Sequence, residues 1–194
     1  NVNFIEMDLL ELKKLDKKFD LIECSGVLHH LKDPAKGLSC LINSLDTKGF
    51  LKLGLYSKLA RKDILKAREL LKEKEIKTNL DEIRNFRNNI LNGKINNLNK
   101  VTHWSDFYST SMCRDLCFHS KEKCYSLIEI KDMIEAAELE FLGFTLSKDI
   151  KDKYLGINKN LESLKNLKLW DKFEEIYPNS FREMYQFWTR KSVK

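Results

Sequence analysis

Apolar residues recur along the chain with two spacings, and the switches between them divide it into elements. The run from Asn1 to Asp8 predicts a short strand ending in an acid, and Leu9 to Lys18, short and rich in Lys and Leu, predicts one or two helical turns. Phe19 to Cys24 is an apolar run stopped by Ser25-Gly26, as a buried parallel strand would be. Asp33-Pro34 then starts a helix, since Asp33 can cap the free N–H groups and a proline in the first turn loses no hydrogen bond. Leu38, Leu41, Ile42 and Leu45 share its face. Lys48-Gly49 is read as the turn into a strand over Phe50 to Tyr56, where Leu51, Leu53 and Leu55 alternate with other residues. Strand, helix and strand with short connections make a βαβ unit with a right-handed crossover.

From Ser57 to about Lys100 the period becomes helical. Ala60, Ile64, Ala67 and Leu71 form one stripe, and Ile83, Phe86 and Ile90 a second, which predicts two helices closed by Asn92-Gly93 and followed by an Asn-rich loop. Trp104 to Tyr125 is rich in aromatics, Cys, His and Ser without a clear period, a pattern commoner in functional loops than in scaffold. Ser126 to Glu129 reads as a capping box opening a helix with Leu127, Ile130, Ile134 and Ala137 on one face. Phe141 to Leu146 and Met184 to Arg190 read as strands, separated by a polar, Lys-rich segment anchored by Trp170 and Phe173. No internal repeat is visible.

At 194 residues, 42% hydrophobic and 33% charged, the composition is that of a folded globular chain, and it changes the picture little. The net charge of +6 invites a nucleic-acid partner, but 29 acidic residues are interleaved with the 35 basic ones, which argues against that partner. No run of 18 apolar residues argues for a membrane span, and no leader pattern is visible. Five cysteines, Cys24, Cys40, Cys113, Cys117 and Cys124, form no regular framework and favour reduced thiols in a cytoplasmic setting.

Four segments in order carry a resemblance. Asp8-Leu9, Phe19-Asp20-Leu21-Ile22, Gly26-Val27-Leu28-His29-His30-Leu31-Lys32-Asp33-Pro34 and Gly49-Phe50-Leu51-Lys52-Leu53-Gly54-Leu55-Tyr56 resemble class I S-adenosylmethionine-dependent methyltransferases with a Leu-His-His motif after the fourth strand. The tail from Ser105 to Lys191 is similar to bacterial members often fused to tetratricopeptide repeats, which the parent protein would then contain. The resemblance implies an α/β, Rossmann-like methyltransferase sheet lacking its first two strands, with an inserted helical segment and a C-terminal antiparallel strand pair. It implies one partial, N-terminally truncated domain: residues 1–56 as the remaining cofactor-side βαβ, 57–125 as helical and aromatic cover, and 126–194 as a C-terminal helix and strand pair. Asn1 in place of Met agrees with a truncated chain. In the family order 3-2-1-4-5-7-6, strands four, five, seven and six are then expected to stay together, with the N-terminal strand displaced, re-paired or loosely held.

By the same resemblance the cofactor is S-adenosyl-L-methionine. Asp8 would accept a hydrogen bond from the adenine amino group, the Leu9 N–H would meet a ring nitrogen, and Glu23, Cys24, Ser25 and Gly26 would run beside the methionine part. Without the resemblance Asp8 is equally a turn residue or helix cap. His29 and His30 are the catalytic candidates, because a histidine titrates near neutral pH and can take a proton or orient the acceptor; scaffold hydrogen bonding is the alternative for one of them. Tyr56, Trp104, Tyr108, Arg114 and His119, with Phe107, are the candidate acceptor pocket, in which Arg114 suits a carboxylate or phosphate. An aromatic helical cover would use Phe107 as well. Cys113, Cys117, His119 and Cys124 contain enough ligands for zinc, but their spacing lacks paired knuckles and favours packing, so no metal is expected. The methyl acceptor, small molecule or macromolecule, is not specified by these residues. Two other readings compete: a nicotinamide-dependent Rossmann oxidoreductase, whose Tyr-x-x-x-Lys signature is not visible, and a non-catalytic interaction domain that retains the fold.

Overall fold

The computed structural model describes residues 1–119 and 121–192. Among the described residues four strands form one sheet, β1 (Phe19–Ser25), β2 (Leu45–Leu55), β3 (Leu139–Phe144) and β4 (Tyr185–Lys191), in the order β1-β2-β4-β3. β1 runs parallel to β2, and β4 runs antiparallel to both β2 and β3. This is the four-five-seven-six portion of the expected sheet, C-terminal antiparallel pair included.

Seven α-helices accompany the sheet among the described residues: α1 (Pro34–Ser44), α2 (Lys62–Glu73), α3 (Leu80–Leu91), α4 (Thr110–Cys117), α5 (Leu127–Ala136), α6 (Lys148–Asn158) and α7 (Leu167–Ile176). The chain forms two compact units. Asn1–Ala60 with Lys123–Lys194 makes a sheet unit, and Arg61–Glu122 makes a helical unit.

In the sheet unit local signals act as written. The Asp33 carboxylate accepts from the Lys36 N–H at 3.0 Å with Pro34 in the first turn of α1, and Ser126 and Glu129 form both halves of a capping box at α5. Leu38 and Leu41 of α1 and Leu127, Ile130 and Ile134 of α5 share one core with Leu51, Leu53 and Leu55 of β2 and Tyr185 and Phe187 of β4. Burial of each such side chain contributes roughly 1.5–3 kcal/mol before entropy is counted.

Non-local structure departs from expectation in several places. Residues 1–7 form no strand, and Phe4 is 95% exposed, because no described strand offers them a ladder; Asp8 instead caps a 3-10 helix, Leu9–Leu15. β1 is not buried on both faces. It pairs with β2 alone, and its Leu21 is 56% exposed. Lys48-Gly49 lies inside β2 rather than before it, yet the register jumps from Leu45 opposite Phe19 to Phe50 opposite Leu21, so the residues between bulge out where the turn was expected. Gly49 suits that bulge, since an added Cβ would stand 3.0 Å from the carbonyl oxygens of Phe19 and Asp20. The Lys-rich stretch after β3 holds α6 and α7, where Tyr154 stacks on Trp170 with ring centroids 3.5 Å apart.

The helical unit has its own core: Ile64, Ala67 and Leu71 of α2, Ile83, Phe86 and Ile90 of α3, and Phe107, Cys113, Leu116 and Cys117. The Asn-rich piece is a 3-10 helix, Asn96–His103, and not an open loop. The stretch read as an aromatic loop holds a 3-10 turn, Ser105–Tyr108, and α4. Its missing period has a physical cause: it is built of short pieces, each burying one to three side chains.

Candidate active site

Parallel pairing sets the carboxyl ends of β1 and β2 side by side, and ligands of open α/β sheets bind beyond such ends. Ser25 pairs with Gly54, and the Gly26 N–H continues the ladder to the Gly54 carbonyl at 3.2 Å. A Cβ on Gly54 would come within 2.8 Å of the Ser25 Cβ and 2.5 Å of the Met184 Sδ, so glycine lets the two backbones and Met184 close up there. Gly26 takes a φ of +77°, which a side chain would strain. The backbone then turns through Leu28–His30, a 3-10 turn.

His29 is fully buried in that turn. Its ring centroid lies 4.2 Å from that of Tyr56, the residue after β2, and 4.3 Å from that of half-buried His30. One extended segment braces both: the Lys123 N–H donates to the His29 carbonyl at 2.9 Å, the Tyr125 N–H to the Tyr56 carbonyl at 2.8 Å, and the Lys58 N–H to the Tyr125 carbonyl at 2.8 Å. The Tyr125 hydroxyl is pushed up to about 12, by burial first and then by the Glu129 charge.

The remaining cofactor-side candidates divide by the pleat. Cys24 points into the core, where burial pushes its thiol up, while Ser25 and Glu23 are exposed on the opposite face. Glu23 is held below the usual carboxylate range by a hydrogen bond from Lys52, 2.8 Å away. Asp8 spends Oδ1 on the Leu10 N–H at 2.8 Å, the capping role left open above, with Leu9 opening the turn behind it.

A second buried constellation carried no motif. Glu174 of α7, 2% exposed, accepts from the Ser57 and Tyr185 hydroxyls, each at 2.5 Å, and Ser57 Oγ accepts from the Ala60 N–H at 2.9 Å. Burial raises the Glu174 carboxyl to about 6 against the pull of those two donors. Tyr185 is pushed above its ordinary range by burial and by the carboxylate beside it. The available signal was an acid on an apolar helical face, since Glu174 follows Leu167, Trp170 and Phe173 at helical spacing.

The other acceptor candidates belong to the helical unit. The Trp104 ring lies 5.5 Å from the Arg61 guanidinium. Tyr108 is exposed, with Arg87 donating to its carbonyl, and packs edge-on against buried Phe107. Arg114 is exposed on α4, and His119 is half-buried and accepts from the Lys121 N–H at 3.4 Å. Cys113 and Cys117 are buried in α4, Cys124 is buried in the sheet unit, and among the described residues no group of three or more His, Cys, Asp and Glu is placed to hold a metal. No described helix is long and apolar enough to cross a membrane.

Comparison with known proteins supplies what geometry does not. Residues 1–53 match the family described as a methyltransferase domain. An uncharacterized Synechococcus protein, syc1184_c, is 28% identical over 189 residues, covering 90% of this chain and 44% of its own length. Two structures of PKMT2 from Rickettsia typhi, one in complex with AdoHcy, share 15% identity, cover 95% of this chain and superpose with TM-scores of 0.67 and 0.66. The chain spans only 38% and 37% of those two. The chain thus carries a methyltransferase-domain match over its first 53 residues and shares the fold of those two structures along nearly its whole length.

Proposed function

We propose that this chain supplies part of the cofactor site and the acceptor side of an S-adenosylmethionine-dependent methyltransferase. The observation that carries the reading is a coincidence of place: the family-matched segment contains the bare-backbone turn at the carboxyl edge, Ser25-Gly26, and the buried His29 that follows it. When bound, the cofactor supplies a methyl group on a sulfonium, ready for in-line displacement.

The chain's own residues then bind and orient. The Ser25-Gly26 backbone lies open to a methionine chain, with Glu23 held aside by Lys52. Asp8 has a second carboxylate oxygen to offer an adenine amino group, and the Leu9 N–H stands next to it. His30, half-buried, would take a proton from the acceptor or hold it in line, and His29, fully buried against Tyr56 and anchored through its carbonyl by Lys123, would position it. Tyr56 is the proposed acceptor contact of the sheet unit; within the helical unit, taken by itself, Trp104, Tyr108, Arg114 and His119 are the candidates, with exposed Arg114 suited to an anionic group.

Calorimetric titration of the complete protein with S-adenosylhomocysteine tests this. Saturable binding that weakens at least ~10-fold in Gly26→Val is expected, because a β-branched side chain in the left-handed region both strains the turn and covers its backbone. Absence of heat up to roughly 1 mM ligand would overturn the reading in favour of a non-catalytic interaction domain.

A further inference from the structure

Glu174 takes no part in the contacts proposed for cofactor or acceptor, yet both side chains it holds adjoin that site. β2 ends at Leu55, which pairs with Tyr185, the first residue of β4. Past that pair the alternation of β2 continues, with Tyr56 half-buried and Ser57 buried. From α7 the Glu174 carboxylate reaches both strands: one oxygen accepts from the Ser57 hydroxyl and the other from the Tyr185 hydroxyl. Ser57 follows Tyr56 directly, and Tyr185 follows Met184, the side chain that closes on Gly54.

Ser57 is tied on both sides of its hydroxyl, which donates to Glu174 and accepts from the Ala60 N–H at 2.9 Å. The backbone around it is clamped as well: Ser57 bridges Tyr125, the Tyr125 N–H donates to the Tyr56 carbonyl, and the Lys58 N–H donates to the Tyr125 carbonyl. The Tyr56 ring carried on this backbone lies 4.2 Å from the His29 ring and 6.4 Å from the His30 ring, centroid to centroid. A continuous path of hydrogen bonds and ring contacts therefore runs from Glu174 to both histidines within the sheet unit. Burial strips the carboxyl group of water, a penalty that an apolar side chain of similar size would not carry. What the carboxylate supplies instead is direction, since it accepts two hydroxyls at fixed places that an apolar side chain cannot hold.

We propose that Glu174 is a positioning residue of the candidate active site: through Ser57 it fixes the backbone that carries Tyr56, and through the Tyr56 ring the orientation of His29 and His30. The role of the two histidines rests on the methyl-transfer reading. The path that orients them is a property of the fold and is measured without cofactor.

The chain has four histidines, two in the sheet unit and two, His103 and His119, in the helical unit, so imidazole C–H resonances of the whole chain carry an internal control. Tyr56→Leu defines the displacement of the His29 and His30 resonances when the neighbouring ring is lost. Ser57→Ala and Glu174→Leu should each move these two by about half of that displacement or more and leave His103 and His119 in place. Ser57→Thr, which keeps the hydroxyl, should hold them at their parent positions. In a Tyr56→Leu background the effect of Ser57→Ala should vanish, because the path runs through the missing ring. Ser57→Ala carries the decision alone if Glu174→Leu does not fold. A merely structural role would lower stability and leave His29 and His30 unmoved, which would overturn the proposal, as would a Ser57→Ala displacement that persists without the Tyr56 ring. Failure of the methyl-transfer reading shows elsewhere, as missing heat with S-adenosylhomocysteine in the unsubstituted protein.

Discussion

Glu174 makes the sheet unit weaken as the pH rises through the acid range. Its carboxyl, ordinarily near 4.5, is held at about 6 in the fold, since burial penalises the charge more than the Ser57 and Tyr185 hydroxyls favour it. Among the groups around it, Asp171 on the same helix adds a smaller push in the same direction. The folded chain therefore binds the proton more tightly than the unfolded one, and the associated stability is complete below about pH 4.5 and lost as pH rises through about 6. The difference corresponds to about 2 kcal/mol. Glu174→Gln keeps a hydrogen-bonding side chain of the same shape without the charge, so the stability of the variant relative to the parent should climb by about 2 kcal/mol between about pH 4 and pH 7. Urea unfolding followed by tryptophan fluorescence measures it. A Trp104→Phe background confines the signal to Trp170 and Trp188, both in the sheet unit, so that separate unfolding of the helical unit does not distort the two-state analysis. A stability difference that stays flat across this range refutes the account, and one that falls with pH would mean that the two hydroxyl donors outweigh burial.

Two further outcomes follow from geometry. Gly54→Ala should cost about 1–3 kcal/mol in urea midpoint, because the new methyl overlaps the Ser25 Cβ and Met184 Sδ, and adding Met184→Ala should recover only part of it, since Ser25 stands on backbone that cannot move away. Full recovery would show that Ser25 gives way freely. Ser126→Ala removes the capping box of α5 and should lower stability by about 1 kcal/mol in a thermal melt, with Ser126→Gly costing less; equal losses would point away from capping.

What could be read in the chain without coordinates was whatever depends on neighbours a few residues away. The Asp33-Pro34 start, the Ser126 to Glu129 box, the alternation of Leu51, Leu53 and Leu55 and the stripes Ile64-Ala67-Leu71 and Ile83-Phe86-Ile90 all lie where their spacing put them. The order of motifs around Gly26 and His29 pointed to a methyltransferase, and residues 1–53 match a methyltransferase domain.

Long-range pairing and burial decided the rest. Residues 1–7 have strand character but no described strand to join, and a strand is stable only as a member of a sheet. The bulge around Gly49 exists because β2 must leave and rejoin the register of β1. Ser57 and Glu174 are 117 residues apart, so nothing local marks their hydrogen bond, and only closure of α7 over the sheet brings the carboxylate out of water. The backbone bonds from Tyr125 N–H to the Tyr56 carbonyl and from Lys123 N–H to the His29 carbonyl likewise join segments far apart in the chain. Local hydrogen bonds and side-chain spacing write elements into a sequence; the dielectric around a carboxylate and the partner of a strand are supplied by chain segments far removed along it.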